Sequence, residues 1–296
     1  MKPNTVTLLH PGNMGATIGT AAATSGARVV WVSDQRSRAT CDRARQAGLV
    51  DAGDLENALR MSAIVLSVCP PHAAVEVAGK VAEQRFEGVY VDANAVSRAT
   101  AEHIGEIVTA GGASFVDGGI IGSPVKRAGT TRLYLSGARA QEVAELFSAS
   151  MLDAKAIGSA PGAASALKVA YAAWTKGTDA LLLAIRALAS IEGVDKALAE
   201  EWAISQPNLA RRCVQAAEVA TPKAWRYAGE MREIAAAFEA VGLPAGFHEA
   251  AAEICERLAS FKDRVDPPPS LTNVVDALVR SAAPAPHRPP AGNLKT

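Results

Sequence analysis

Up to about residue 158 the chain alternates short apolar runs with amphipathic stretches; beyond that point the apolar runs stop. The runs are Val6–Leu9, Arg28–Val32, Ile64–Ser67, Val89–Asp92, Ser114–Val116 and Leu133–Ser136, with helical patterns such as Pro71–Gln84 and Ala99–Ala110 between them. Strand, helix, strand in repetition predicts a doubly wound α/β domain, a parallel sheet with helices on both faces. Such sheets place ligands at the carboxyl ends of their strands, where the strand order reverses.

The remainder predicts helices alone. "GSAPGAASALKVAYAAWTKGTDALLLAIRALASIEG" reads as one long helix ending near Gly193, with Ser159 able to cap it and Pro161 suited to its first turn. Its residues are apolar nearly all round, which predicts burial on most faces. Asp195–Ser205, Pro222–Val241 and Pro244–Phe261 continue the pattern, and a short helix fits Leu271–Arg280. The expected organisation is an α/β domain over 1–158, an all-helical domain over 159–265 and a Pro-rich, partly disordered tail over 266–296.

Composition narrows the partners. Lys plus Arg balance Asp plus Glu at 30 each, so no global field favours nucleic acid or an anionic membrane. The four cysteines, Cys41, Cys69, Cys213 and Cys255, are scattered without a C-x-x-C pair, which suits a reducing compartment and argues against a zinc or other metal site. The N-terminus lacks the pattern of a signal peptide, and no apolar run is long enough to span a bilayer. The expectation is a cytoplasmic protein acting on a small molecule.

The first strand–helix junction reads "TVTLLHPGNMGATIG". A dinucleotide loop, G-x-G-x-x-G, would put glycines at 10, 12 and 15; Gly12 and Gly15 are present, but the first place holds His10, followed by Pro11. A residue before proline is biased to extended backbone, so His10 is expected to leave the strand extended without glycine's freedom. Pro11 has no N–H to give. The donors to a pyrophosphate would then be Asn13, Met14 and Gly15, with Gly12 allowing close approach. The same residues also suit an ordinary strand–helix turn, and His10 itself is expected to be structural.

The second strand ends at "WVSDQRSRAT". An acidic residue here takes the ribose hydroxyls of NAD, whereas arginine takes the extra phosphate of NADP. Asp34 lies about 20 residues past the glycines, Arg36 and Arg38 follow it, and Ser33 can donate to either coenzyme. Two planar guanidinium groups favour a phosphate. NADP is therefore favoured over NAD, with a solvated charged turn as the other reading.

Four segments in this order, "HPGNMG", "VDANAVS", "VDGGIIGSP" and "GAASALKVAYAA", give the chain a resemblance over about residues 5–260 to the β-hydroxyacid dehydrogenases. That group includes 6-phosphogluconate and 3-hydroxyisobutyrate dehydrogenases and the related imine reductases. With "KAWRY..EM" added, the chain is similar to a bacterial branch carrying a phosphogluconate-dehydrogenase-like C-terminal domain of unknown function. The resemblance implies a Rossmann domain, a helical domain, a cleft between them and a homodimer formed through the helical domains.

It also implies that Lys168 is the catalytic lysine, taking the hydroxyl proton as hydride passes to the nicotinamide, or supplying it in reduction. The residues agree: Lys168 stands among small and apolar neighbours, where burial lowers its pKa toward the range of a general acid/base unless the stem snorkels to water. Asn94 matches a small polar position beside nicotinamide and substrate, and its amide both donates and accepts; a turn role suits it too. Asp92 is expected to cap the strand end, and Cys69 and Pro70 to border the coenzyme. Two places depart from the family. Tyr171 and Ala172 stand where it has an asparagine, and Ile121 where it often has a substrate-binding serine. Gly122 and Ser123 remain to receive substrate, and Tyr171 can donate a hydrogen bond or belong to the core. Arg232, with Glu230 as its alternative, corresponds to a family lysine that reaches the site, unless both lie on a solvated helix face.

The sequence thus points to an NAD(P)-dependent oxidoreductase that interconverts an alcohol and a carbonyl on a small, polar, hydroxyacid-like substrate. One rival is an imine or iminium reductase on the same scaffold. A rival of another class is a coenzyme-binding regulator that transfers no hydride.

Overall fold

The computed structural model describes residues 4–282. It begins with β1 (Thr5–Leu9), α1 (Asn13–Thr24), β2 (Arg28–Trp31), α2 (Arg38–Gln46), β3 (Val50–Asp51), α3 (Leu55–Met61) and β4 (Ile64–Ser67). Next come α4 (Ala74–Glu83), β5 (Val89–Asp92), α5 (Arg98–Ala110), β6 (Ser114–Gly122), β7 (Thr131–Ser136), α6 (Ala140–Glu145) and β8 (Asp153–Gly158). The helical remainder is α7 (Ala163–Ile191), α8 (Asp195–Ser205), α9 (Leu209–Gln215), α10 (Ala224–Ala240), α11 (Gly246–Arg257) and α12 (Leu271–Ser281). The chain forms two compact units, the first reaching to Trp174 and including Gly229–His248, the second comprising Thr175–Ala228 and the chain from Glu249 on.

The first unit is built on one sheet of order β3-β2-β1-β4-β5-β6-β7-β8. Alternation along the strands makes its two faces. Val6, Leu8, Val29, Trp31, Leu66 and Val91 join Ile18 and Ala22 of α1 on one side. Val30, Val65 and Tyr90 join Val77 and Val81 of α4 and Ile104 and Val108 of α5 on the other. The chain leaves β1 for β2 on one flank and later returns to β4 on the other, so the order reverses at β1. The crevice expected at that reversal lies beyond Leu9, where the His10–Gly15 loop begins.

The sheet departs from the all-parallel expectation at one joint. β6 and β7 pair antiparallel, because a hairpin rather than a helix connects them. β6 also runs well past the predicted end at Val116, through the glycines of "DGGIIG". β3 and β8 carry no sequence signal: β3 is two exposed residues and β8 is a half-exposed edge strand without alternation.

α7 starts at Ala163, four residues beyond Ser159, so neither Ser159 nor Pro161 enters it. Its apolar residues are not buried all round: Leu167, Tyr171, Trp174, Leu181, Leu188 and Ile191 are exposed. In the second unit Arg186 grips Asp195 with two parallel hydrogen bonds of 2.6 and 2.7 Å, tying α7 to the start of α8. α12 buries Val274, Val275 and Leu278, so the segment expected to be tail begins with a packed helix. Residues 283–296, which hold most of the Pro-rich stretch, lie outside the described residues. Among the described residues, no helix is long and apolar enough to cross a membrane.

Candidate functional site

Gly12 is the N-cap of α1, no side chain caps that end, and no acidic residue stands in the first turn. The N–H groups of Asn13, Met14 and Gly15 therefore open a helix whose positive end is not neutralised from within, which is what an anion needs. Gly15 must be glycine, since a Cβ there would stand 2.6 Å from the His10 carbonyl oxygen. His10 corrects the sequence reading. Its φ is 66°, the left-handed conformation and not the extended one. The His10 carbonyl accepts the Gly12 N–H at 2.7 Å in the same loop, and the bias imposed by Pro11 does not hold His10 extended.

The loop after β2 separates the two arginines. The Ser33 and Asp34 N–H groups both donate to the Gly53 carbonyl, at 3.1 and 3.0 Å, so neither amide is left for a ligand. Gln35 turns the chain at φ 56°, and Ser37 caps α2. Arg36 points inward: it is half-buried, and its Nε is buried without a hydrogen-bond partner. The Arg36 charge acts on both His10 and Cys69. Arg38 points outward, 97% exposed, 4.0 Å from Asp42. A third arginine escaped the sequence reading: Arg43 donates to the Pro11 carbonyl at 3.2 Å and braces the loop from α2.

At the ends of β4 and β5 the structure gives Asn94 a different task from the expected one. The side chain is buried, and both its N–H donors are spent, on Ser67 Oγ at 3.1 Å and Asp92 Oδ2 at 2.7 Å. Its oxygen accepts the Cys69 N–H at 2.5 Å. Asn94 ties two strand ends together and has no donor left to offer nicotinamide or substrate. Asp92 does cap the strand end, accepting the Asn94 N–H at 3.1 Å. Burial pushes the Asp92 carboxyl up to about 7, opposed by the Asn94 hydrogen bonds and the nearby Lys168 charge. Burial likewise pushes the Cys69 thiol up to about 12, which makes it a poor nucleophile. Pro70 is exposed and opens the short turn at Pro71–Ala73.

Lys168 is placed by contacts distant in sequence. α7 seats on β6 at Gly119, where a Cβ would meet the Ala164 carbonyl oxygen at 2.6 Å and the Lys168 Cβ at 3.1 Å. The N-terminus of α7 is capped by Asp117, which accepts the Ser165 N–H at 2.9 Å and the Ser165 hydroxyl at 2.5 Å. The Ser136 hydroxyl donates to the same carboxylate at 2.9 Å and accepts the Ala164 N–H at 3.1 Å. A buried carboxylate at a helix N-terminus is favoured by the helix dipole and by these donors. Lys168 is thus fixed near the buried Asp92.

The other predicted residues are more peripheral. Tyr171 is 47% exposed, outside the core. Gly122 ends β6 at φ 121°, paired with Thr131, and serves the hairpin. Ser123 is exposed, and its carbonyl accepts the Thr131 hydroxyl at 2.6 Å. Arg232 is exposed on α10. Its neighbour Glu233, within the same unit as the sheet, accepts the Ser97 N–H at 2.7 Å and the Thr100 hydroxyl at 3.0 Å. The sequence reading missed Glu233, Asp117, Ser136 and Ser165. Only Ser165, in the first turn of α7, carries a local signal; Asp117 and Ser136 lie in strands and Glu233 within α10. The uncapped α1, the tight Gly15 and the orphaned Arg36 Nε together fit a dinucleotide.

Comparison with known proteins agrees with that fit. Residues 5–158 match the family described as the NAD binding domain of 6-phosphogluconate dehydrogenase, and residues 189–258 match a domain of unknown function, DUF1932. An uncharacterized 28.5 kDa protein of Methanothermus fervidus is 32% identical over 165 residues; the match spans 56% of this chain and 63% of that relative. A conserved hypothetical protein from Sinorhizobium meliloti superposes with a TM-score of 0.66 at 26% identity, covering 95% of this chain and 97% of the other. A 3-hydroxyisobutyrate dehydrogenase from Mycobacterium tuberculosis, solved with L-serine, superposes with the same TM-score of 0.66 at 18% identity, covering 93% and 99%. This last likeness concerns the fold.

Proposed function

Because the chain belongs to the family of the NAD binding domain of 6-phosphogluconate dehydrogenase, we propose that it is an NAD(P)-dependent oxidoreductase interconverting an alcohol and a carbonyl on a small polar substrate. The observation that carries this reading is Lys168, seated on β6 through Gly119 and set near the buried carboxyl of Asp92. A bound nicotinamide supplies or accepts the hydride. The chain's own part is to hold the coenzyme and to move one proton.

Asn13, Met14 and Gly15 present backbone N–H groups to the pyrophosphate, and Arg36 reads the adenosine ribose. An inward arginine with an unpartnered Nε favours the phosphate of NADP. Lys168 Nζ takes the substrate hydroxyl proton in oxidation and returns it in reduction. The neighbouring Asp92, with its carboxyl near 7, biases the charge that Lys168 carries. Asn94 orients the carboxylate of Asp92 and the Cys69 turn, acting as a positioning residue.

A homodimer is part of the proposal. Leu167, Trp174, Leu181 and Leu188 recur at seven-residue intervals on α7 and are all exposed, a row that a second helix would cover. The test of the whole reading is paired: titrate NADPH and NADH by nicotinamide fluorescence, then assay a panel of hydroxyacids with the tighter coenzyme. Tighter NADPH and turnover of a hydroxyacid are expected. Tight coenzyme binding with no turnover across the panel would favour a coenzyme-binding regulator.

A further inference from the structure

His10 carries two burdens that glycine at the same place would not. It holds a left-handed backbone at φ 66°, which disfavours any residue with a Cβ. Its Nδ1 is also buried without a hydrogen-bond partner. The backbone belongs to the turn that leaves β1, where the His10 carbonyl also accepts the Gly12 N–H. The turn does not explain the imidazole, because glycine would make it without strain.

The surroundings of the ring supply a reason. Burial, then the charges of Arg36 and Lys80, depress the His10 pKa to about 4, so the ring is neutral, with one N–H donor and one acceptor. Lys80 and Glu76, which also face it from α4, are paired with each other at 2.6 Å. Arg36 therefore remains the cation of this corner, and its Nε is the second orphan there. Among the described residues, the buried side-chain polar atoms without partners are on Thr5, His10, Arg36, Tyr90 and His248, and two of these belong to side chains near enough for the Arg36 charge to act on the His10 ring. One comes from the end of β1 and the other from the loop after β2, where a doubly wound sheet reads the adenosine ribose. Strain and unmet hydrogen bonds gathered at a ligand's position mark a residue kept for binding.

We propose that His10 is a coenzyme-specificity residue, its imidazole joining Arg36 to hold the 2′-phosphate of NADP. This rests on the NADP reading above. The phosphate offers only acceptors, and the two side chains offer the donors. Pro11 removes one backbone donor from the loop, and the His10 ring restores one beside it.

The test uses the full chain as wild type, His10→Gly, His10→Asn and Arg36→Ala, with NADPH and NADH affinities from fluorescence titration and unfolding midpoints without coenzyme. His10→Gly suits the left-handed backbone and is expected to unfold at or above the wild-type midpoint. Its NADPH affinity should nonetheless fall about tenfold, the loss of one charge-assisted hydrogen bond, while NADH changes little. His10→Asn, which tolerates the same φ and keeps a donor, should recover part of the loss. If Arg36→Ala loses the NADPH preference and His10→Gly keeps it, the role of His10 is overturned while the NADP reading stands. If wild type binds both coenzymes equally, both are overturned.

Discussion

Lys168 rests on Gly119: a side chain at that strand position would place its Cβ 3.1 Å from the Lys168 Cβ and 2.6 Å from the Ala164 carbonyl oxygen. α7 and the sheet meet where one of them has no side chain. Gly119→Ala should therefore lift α7 from β6. Overpacking of this kind destabilises by about 1–3 kcal/mol, and turnover should fall further than stability because the lysine itself is displaced. Denaturant unfolding and turnover, measured on the same variant, separate the two effects. Wild-type values for both would mean that the packing at Gly119 does not position Lys168.

Asp117 holds the start of the same helix. Asp117→Ala strands three donors, the Ser165 N–H, the Ser165 hydroxyl and the Ser136 hydroxyl. Leaving such groups buried without partners costs on the order of 3 kcal/mol. Ser165→Ala removes one donor and leaves the backbone bond, so about 1 kcal/mol is expected. Equal losses from the two variants in urea unfolding would contradict the capping role.

Two buried groups give opposite slopes to stability against pH. His10 titrates near 6.5 when unfolded and near 4 in the fold. Between those values the unfolded chain holds the extra proton, so the His10 contribution rises with pH. Asp92 moves from 3.8 up to about 7, so over that span the folded state holds the proton and its contribution is lost as pH rises through 7. The stability of wild type relative to His10→Gly should therefore rise from pH 4 to pH 6.5, narrowing any lead of the variant, and level off above. Unfolding curves across that range check it. A flat difference would show that His10 titrates normally in the fold.

The two candidate arginines should behave differently. Arg36 is turned inward with an orphaned Nε, whereas Arg38 is 97% exposed. Arg36→Ala should weaken NADPH binding tenfold or more, the scale of a lost charge-assisted contact. Arg38→Ala should change it less than about threefold, as expected of a solvated charge. Equal effects in a fluorescence titration would mean that the loop rearranges when coenzyme binds.

Much of the fold was legible in the residues because strand β1 and its neighbours, buried along their length, announce themselves as short apolar runs between helical stretches, and α1 opens on glycines. β3 and β8 were not, since a two-residue strand and a half-exposed edge strand leave no periodic trace. Lys168 was legible as a cation among small and apolar residues on a long helix. Asp117, which holds the start of its helix, was not, because it meets Ser165 across 48 positions, and Glu233 escaped likewise because it meets Ser97 across 136. Asn94 stayed open between two roles for a related reason. Its amide suits a ligand as well as it suits Ser67, Cys69 and Asp92, and only the three-dimensional neighbourhood decides. At His10 a local rule, the bias to extended backbone before proline, did not hold, and the residue is left-handed.

The central claim is that Lys168 moves the proton and the coenzyme loop works without it. Lys168→Ala, titrated with NADPH and assayed with the best hydroxyacid of the panel, tests it most directly. The account predicts near-wild-type NADPH affinity and turnover lowered by about 10²–10⁴, the usual reach of a general acid/base. Unchanged turnover with unchanged affinity would contradict it.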